Sequence, residues 1–204
     1  RSLPKVLMDM PPCIEVECAH PHALVWVVGP DMCGKTQISR ALAARIGASY
    51  FKASSEHSTL ISTPAEFSAQ TRYCEPRQID MIVQLHARVV LDRGWPCEHA
   101  YGTVLGRTVD AASLAEIDRL SVQAGGIVVC CWRSTYDGIV DDIDARLTGQ
   151  TLQHIELAYR RFAATCMTPF VFVNVDDEDL DREVSEIIAA LNRIAVQREK
   201  CVRL

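Results

Sequence analysis

Short apolar runs recur along the chain and alternate with stretches whose apolar residues follow helical spacing. The five runs lie at 24–28, 49–52, 88–92, 126–131 and 169–175. Runs of this length predict buried strands, and the stretches between them predict helices that connect one strand to the next. This alternation indicates an α/β fold in which a five-stranded parallel sheet is flanked by helices in three layers.

Several predicted helices carry signals for their ends. Gly47 follows the first helical stretch and suits a left-handed residue at its C-terminus. Pro76 suits the first turn of a second helix, and Asp110 suits the N-cap of a third helix that ends near Gly125. Ile187 belongs to a C-terminal amphipathic helix.

The pattern divides the chain into a leader and one domain. Residues 1–22 hold four prolines without a sustained period, which predicts an extended leader. Residues 23–204 then form a single domain. Within it, the stretch near 133–149 mixes Gly138 with several aspartates, which predicts a polar, mobile, lid-like insertion.

The strongest motif is a phosphate-binding loop between the first predicted strand and a helix. Residues 29–36 match the pattern G-x-x-x-x-G-K-[ST] in that context. Its glycines let backbone N–H groups point inward, Lys35 reaches the outer phosphates, and Thr36 offers a hydroxyl to Mg²⁺. The predicted nucleotide-binding residues are Gly29, Asp31, Cys33, Gly34, Lys35, Thr36 and Gln37.

A second motif stands where the third predicted strand ends. The apolar residues 89–91 run directly into Asp92 and Arg93. Open α/β sheets bind ligands at this carboxyl edge. Asp92 suits a magnesium-bound water and Arg93 suits phosphate oxygens, so Thr36 and Asp92 are the predicted metal residues.

With Glu98-x-Ala100-Tyr101-Gly102, these motifs resemble the thymidylate-kinase-like group of P-loop nucleotide kinases, including their phage relatives. The resemblance covers about residues 24 to 106. It implies the strand order 2-3-1-4-5, an ATP site on the loop and an acceptor pocket that faces it. It also implies that Asp31 approaches the acceptor sugar, while Asp92 and Arg93 handle magnesium and phosphate.

The chain departs from that family at two places. Thymidylate kinases carry Arg-Glu-Pro after the second strand, where this chain has Lys52-Ala53-Ser54. Some of them place a catalytic arginine inside the phosphate loop, where this chain has Met32 and Cys33. The neutralising arginine must therefore come from elsewhere, and Arg133 and Arg146 in the lid-like stretch are the candidates.

The residues divide into two predicted sets. The catalytic set is Lys35, Asp92, Arg93, Arg133 and Arg146. The acceptor-binding set is Asp31, Arg72, Gln84, Arg93 and Tyr101, in which Gln84 stands in the helix before Asp92 and, like Arg72, is suited to a base edge. Each of these two polar residues is equally well explained as part of an exposed helix surface.

Three functions are compatible with these motifs. The first is ATP- and Mg²⁺-dependent phosphorylation of a deoxynucleotide, above all a deoxynucleoside monophosphate. The second is phosphorylation of a nucleoside or of a 5-hydroxymethyl pyrimidine in DNA, as in phage DNA modification, because such an acceptor needs no Arg-Glu-Pro. The third is a P-loop ATPase or switch, although no guanine-recognition segment follows the later strands.

Composition and charge narrow the partners. At 204 residues, with 49% hydrophobic and 23% charged residues, the chain has the size and balance of a globular domain. Its net charge of −5 disfavours a duplex-DNA partner and leaves a small nucleotide-type acceptor as the main expectation. No apolar run approaches the ~18 residues of a membrane span, so no membrane partner is expected. A homodimer is compatible with this composition.

The cysteines favour a reducing environment. Their number is nine, and the sequence shows no export signal, so we expect an intracellular protein, in the host cytoplasm if it is viral. Cys130 and Cys131 are adjacent on a predicted buried strand and are expected to pack in the core. A cluster near the start, Cys13, Cys18, His20 and His22, has the side-chain types of a zinc site but lacks two separated ligand pairs.

Overall fold

The computed structural model describes residues 24–52, 64–139 and 147–202. The strands are β1 (Leu24–Val28), β2 (Ser49–Lys52), β3 (Val89–Asp92), β4 (Ile127–Trp132) and β5 (Phe170–Asn174). The helices are α1 (Lys35–Ile46), α2 (Pro64–Gln84), α3 (Trp95–Val104), α4 (Ala111–Gln123), α5 (Gly149–Ala163) and α6 (Leu180–Val202). All five predicted strands are present, with ends that shift by one residue at most.

The strands form one parallel sheet of order β2-β3-β1-β4-β5. This confirms the predicted fold class and strand order. Strand β1 lies at the centre and is buried along its whole length, as a continuous apolar run requires when helices cover both faces of a sheet. Its register sets Val27 beside Asp92 of β3 and Val28 beside Cys130 of β4.

Helices cover the sheet in two layers. On one side α1 packs against α6, while α3 contacts α5, α2 and α4 on the other. The core between them includes Trp26 and Trp95, whose rings meet edge to face with centroids 6.3 Å apart. Cys130 and Cys131 are fully buried, and burial raises the pKa of the Cys130 thiol, which confirms their expected packing role.

Two helix ends follow the sequence signals. Gly47 adopts φ 63° and its N–H returns to the carbonyl of Ala43 at the end of α1. The side chain of Asp110 accepts a hydrogen bond from the backbone N–H of Ser113 at the start of α4. Both local predictions are confirmed because caps depend on residues next to one another in the chain.

The prediction that Pro76 opens a helix is wrong. Helix α2 begins at Pro64 and runs through Pro76 to Gln84. A proline removes a single N–H donor from the helical ladder, and the helix continues with Ile79 and Ile82 buried in the hydrophobic core.

The lid-like stretch is only partly polar. Tyr136 and Leu147 are buried. Gly149 packs so closely against the carbonyl of Tyr136 that a Cβ would clash with it. The described ends of this stretch therefore pack against the rest of the domain. Arg146 lies outside the described residues. So do the leader and its Cys13, Cys18, His20 and His22 cluster.

Candidate active site

The site is built around the loop between β1 and α1. Gly29 has φ 138°, and a Cβ there would lie 2.2 Å from the carbonyl oxygen of Cys131, so only glycine allows the loop to pass strand β4. Gly34 precedes α1 with φ 63°. The loop therefore delivers the N-terminus of α1 to the carboxyl edge of the sheet, which confirms the predicted strand, loop and helix arrangement.

Lys35 is folded over the loop. Its Nζ donates to the carbonyl of Pro30 at 2.6 Å and lies 3.4 Å from Oδ1 of Asp31. Only 5% of the residue is exposed. The ammonium group is thus held close to the loop. Backbone N–H groups of such a loop would bind the phosphate oxygens of a nucleotide.

Asp31 contacts three polar side chains, those of Lys35, Arg93 and Tyr101. Arg93 forms an ion pair with its Oδ1, and the hydroxyl of Tyr101 donates to Oδ2 at 2.9 Å. Burial alone would raise the pKa of this carboxyl, but Lys35 and Arg93 outweigh it and leave the pKa below its usual value. Asp31 is therefore ionised at neutral pH and ties together β3, α3 and the phosphate loop.

Thr36 and Asp92 also meet. The Thr36 hydroxyl donates to Oδ2 of Asp92 at 2.6 Å, and the hydroxyl of Tyr50 donates to the same oxygen at 3.0 Å. The other oxygen of Asp92, Oδ1, is buried without a hydrogen-bond partner. A hydroxyl beside a carboxylate with one unused buried oxygen suits Mg²⁺, which prefers oxygen ligands and keeps several of its waters.

Arg133 follows β4 and reaches the phosphate loop. Its Nε donates to the carbonyl of Met32 at 3.1 Å, and Nη2 pairs with Glu178 at 2.9 Å. Nearby, the hydroxyl of Tyr136 lies 3.7 Å from Sγ of Cys33 and accepts the backbone N–H of Arg133. The side chain of Cys33 therefore packs inward, and the segment after β4 is attached to the loop.

Two predicted acceptor residues have other partners. Arg72 forms an ion pair with Asp110, the cap of α4, at 2.9 Å. Gln84 is exposed and donates to Asp80 at 2.8 Å. Because α2 leads into the amino end of β3, Gln84 lies at the sheet edge opposite the phosphate loop, and its prediction as an acceptor residue is corrected.

The remaining predicted residue of the loop is Gln37, which is exposed on the first turn of α1. Its Oε1 lies 3.5 Å from the position of a Cβ on Gly34. Gln37 therefore lies on the surface beside the phosphate loop.

Other residues join the site without a sequence signal. Tyr50, Tyr136 and Glu178 reach it only through tertiary packing. On the α2 and α3 side, Glu98, which the Glu98-x-Ala100-Tyr101-Gly102 motif did indicate, is buried with a hydrogen bond from Ser68 and an ion pair to Arg107 at 3.3 Å. Apart from the Tyr136–Arg133 and Glu98–Arg107 contacts, these interactions join residues 30 or more positions apart, so local spacing could not predict them.

Neither a membrane-spanning helix nor a ready-made cluster of metal ligands is found among the described residues. No helix in the described part of the chain is long and apolar enough to cross a membrane. Among the same residues, no group of three or more His, Cys, Asp and Glu side chains is arranged around a metal position.

The sequence matches no protein-family model and no curated protein. Solved structures are similar in fold. YorR from Bacillus subtilis, in complex with phosphorylated GDP, is 15% identical, with a TM-score of 0.55 over 82% of this chain and 95% of that chain. Deoxyadenosine kinase from M. mycoides with bound dATP is 19% identical, with a TM-score of 0.55 over 82% and 98%.

A third similar structure is thymidylate kinase from Ehrlichia chaffeensis, which is 16% identical, with a TM-score of 0.51 over 89% of this chain and 100% of that chain. The chain has the fold that these nucleotide-binding proteins share. This confirms, for the fold, the resemblance to thymidylate-kinase-like P-loop nucleotide kinases that the motifs indicated. The chain spans nearly the full length of each of these structures.

Proposed function

We propose that this protein transfers the γ-phosphoryl group of ATP to a deoxynucleotide, a deoxynucleoside monophosphate, in a Mg²⁺-dependent reaction. The observation that carries the proposal is the set of contacts of Asp31, a carboxylate inside the phosphate loop that is paired to Arg93 and hydrogen-bonded to Tyr101. If the loop only hydrolysed ATP, an acid held at this position would have no acceptor to orient.

The transfer is an in-line displacement. An acceptor oxygen forms the new bond to the γ-phosphorus, the bond to the bridging β–γ oxygen breaks, and ADP leaves with the electron pair. Lys35 and Arg93 supply positive charge where negative charge accumulates, and a further arginine, Arg133 or Arg146, closes over the donor. Asp31 orients Arg93 and the acceptor.

Thr36 and Asp92 are the residues that would hold Mg²⁺, on the grounds of their oxygen atoms and the unused buried Oδ1 of Asp92. When bound, Mg²⁺ neutralises charge on the phosphates and fixes their orientation. Tyr50 keeps the carboxylate in place through its hydrogen bond. These roles are proposed from chemistry and proximity.

Two of the similar structures are kinases whose names state different kinds of acceptor. They include a thymidylate kinase and a deoxyadenosine kinase, that is, one kinase of a nucleotide and one of a nucleoside. The phosphate of a monophosphate needs cationic partners, and Arg93, which is paired with Asp31 of the phosphate loop, is the guanidinium group that would supply one. The alternative acceptors are a free nucleoside and a 5-hydroxymethyl pyrimidine within DNA.

A panel of acceptors tests the proposal. The purified protein is incubated with Mg²⁺, γ-labelled ATP and, separately, each deoxynucleoside, each deoxynucleoside monophosphate, ordinary DNA and DNA with 5-hydroxymethyl pyrimidines. We expect label to move to one or more monophosphates. Label that moves only to nucleosides or only to modified DNA would replace the proposed acceptor, and no label in any acceptor would overturn the proposed function.

A further inference from the structure

A buried tyrosine joins the segment after β4 to the phosphate loop. Tyr136 is 4% exposed, and its hydroxyl accepts a hydrogen bond from the backbone N–H of Arg133 at 3.1 Å. The same hydroxyl lies 3.7 Å from Sγ of Cys33, a fully buried residue of the phosphate loop. One oxygen atom therefore contacts both the phosphate loop and the main chain at Arg133.

The main chain of Tyr136 is also held by its neighbours. Its carbonyl accepts a hydrogen bond from the backbone N–H of Ile139 at 3.1 Å. Gly149, the first residue of α5, packs against the same carbonyl, and a Cβ on Gly149 would lie 2.3 Å from the carbonyl oxygen. Tyr136 is therefore held between the phosphate loop and the start of α5.

The side chain of Arg133 reaches the loop through a separate contact. Its Nε donates to the carbonyl of Met32 at 3.1 Å, and Met32 has φ 63°, a conformation that few non-glycine residues adopt. Met32 and Cys33 are adjacent, so two neighbouring loop residues each receive one contact from the segment 133–136. Tyr136 thus fixes the main chain of Arg133, while the guanidinium group lies beside the loop.

The Tyr136 hydroxyl is neutral. Burial raises the pKa of this hydroxyl and also the pKa of the Cys33 thiol. The Tyr136 oxygen therefore keeps its proton at neutral pH and accepts the Arg133 N–H through a lone pair. A phenylalanine at this position would keep the ring in the core and remove only the contacts of the hydroxyl.

We propose that Tyr136 is a positioning residue that acts through Arg133. This rests on the proposed function and deepens it, because it assigns Arg133 as an arginine that stabilises the transferred phosphoryl group. With its main chain held by Tyr136, Arg133 has to turn only its side chain, away from Glu178 and Met32, to approach a phosphate on the loop. A misplacement of about 1 Å in such a group can cost about 10²-fold in rate.

The test is a double-mutant cycle of Tyr136→Phe and Arg133→Ala, measured as transfer to the acceptor found in the panel. We expect Tyr136→Phe to lower kcat on the order of 10-fold and to change KM for ATP by less than about 2-fold. In the Arg133→Ala background the same substitution should lower kcat no further, because the side chain that Tyr136 positions is absent. A tyrosine that only stabilised the fold would lower kcat by the same factor in both backgrounds.

Tyr159→Phe is the matched control. Tyr159 is also a buried tyrosine, and its hydroxyl has no hydrogen-bond partner among the described residues. The control should retain wild-type kcat. The role of Tyr136 would be overturned by an equal fall in kcat in the control, by equal losses in the two backgrounds of the cycle, or by wild-type kcat in either Tyr136→Phe or Arg133→Ala.

If Tyr136→Phe does not fold, Gly149→Ala replaces it in the cycle. The added Cβ would meet the carbonyl of Tyr136 and displace that residue, so kcat should fall in the wild-type background and not in Arg133→Ala. Equal losses in the two backgrounds would again overturn the role of Tyr136. A wild type that transfers label to no acceptor would refute the proposed function; the cycle is then measured on labelled inorganic phosphate released from ATP, where equal losses would separately overturn the role of Tyr136.

Discussion

The hydroxyl of Tyr101 donates to Oδ2 of Asp31 at 2.9 Å, so the helix that follows the Asp92-Arg93 pair is tied directly to an acid within the phosphate loop. Arg93 holds the other oxygen of the same carboxylate. The phosphate loop, which would bind ATP, and Arg93, which is expected to contact both ATP and the acceptor, are therefore parts of one connected unit.

Asp31→Asn should weaken this unit. The amide no longer compensates the charges of Lys35 and Arg93, and we expect a loss of about 1–3 kcal/mol in the free energy of unfolding at pH 7, measured by chemical denaturation. Because the pKa of Asp31 lies below its usual 3.8, its contribution is present above pH 3.8 and disappears as pH falls further. The stability difference from the wild type should therefore shrink below pH 3.8.

Tyr101→Phe is the control for that variant, because it removes one hydrogen bond and leaves the charges in place. It should cost about 1 kcal/mol. An equal loss in the two variants, or a difference between Asp31→Asn and the wild type that persists into strong acid, would contradict the assigned charge state of Asp31.

Lys35→Ala should abolish phosphoryl transfer and preserve the fold. The ammonium group is the cation on the loop itself, and its present contacts are to the loop residues Pro30 and Asp31. Turnover with labelled ATP and the circular dichroism spectrum are the measurements. A folded variant with near-normal turnover would remove the loop from the mechanism.

Asp92→Asn should raise the Mg²⁺ concentration needed for half-maximal rate and lower the rate by about 100-fold. The amide oxygen retains the hydrogen bonds from Thr36 and Tyr50, while the amide nitrogen replaces the unused oxygen Oδ1. Tyr50→Phe is the matched control, since it removes a donor to Asp92 without altering the carboxylate. A Mg²⁺ titration that Asp92→Asn leaves unchanged would argue against this metal position.

Arg133→Ala and Arg146→Ala identify the arginine that neutralises the transferred group. Arginines in this role contribute about 10³–10⁵ in rate. We expect at least one variant to lose kcat and kcat/KM together with little change in ATP affinity. Arg133 must leave Glu178 to approach a phosphate, so Glu178→Gln should keep or raise kcat.

Wild-type kcat in both arginine variants would assign the charge to another residue. Of the neighbouring arginines Arg160 and Arg161 in α5, Arg161 is then the stronger candidate. The Arg160 guanidinium lies over the rings of Trp132 and Phe172, 4.6 and 4.9 Å from their centroids, and is paired with Glu156.

The phosphate loop could be predicted from the sequence because its geometry is local. Gly29, Gly34, Lys35 and Thr36 stand within a few residues, and the same short segment includes the strand before them and the helix after them. The ends of α1 and α4 are local in the same sense. The strand order, in contrast, came from the family resemblance, since periodicity fixes the number of strands but not their neighbours.

The contacts around the loop could not be predicted in this way. Tyr50 meets Asp92 through the pairing of β2 with β3, and Arg133 meets Glu178 across two strand ends. Gln84 shows the converse error: its helix was placed correctly before β3, but a polar residue near the end of that helix lies at the wrong edge of the sheet. In a parallel sheet, a helix that precedes a strand ends at the amino end of that strand, so the predicted fold itself argued against Gln84 as an acceptor residue.

We expect the phosphate loop to serve transfer to an acceptor and not hydrolysis. The most direct measurement follows γ-labelled ATP in one reaction with Mg²⁺ and a mixture of deoxynucleoside monophosphates, and it quantifies label in deoxynucleoside diphosphate and in inorganic phosphate. We predict that label appears chiefly in a diphosphate and that Lys35→Ala abolishes this product. Label released as inorganic phosphate at the same rate with and without the monophosphates, and no labelled diphosphate, would contradict the claim.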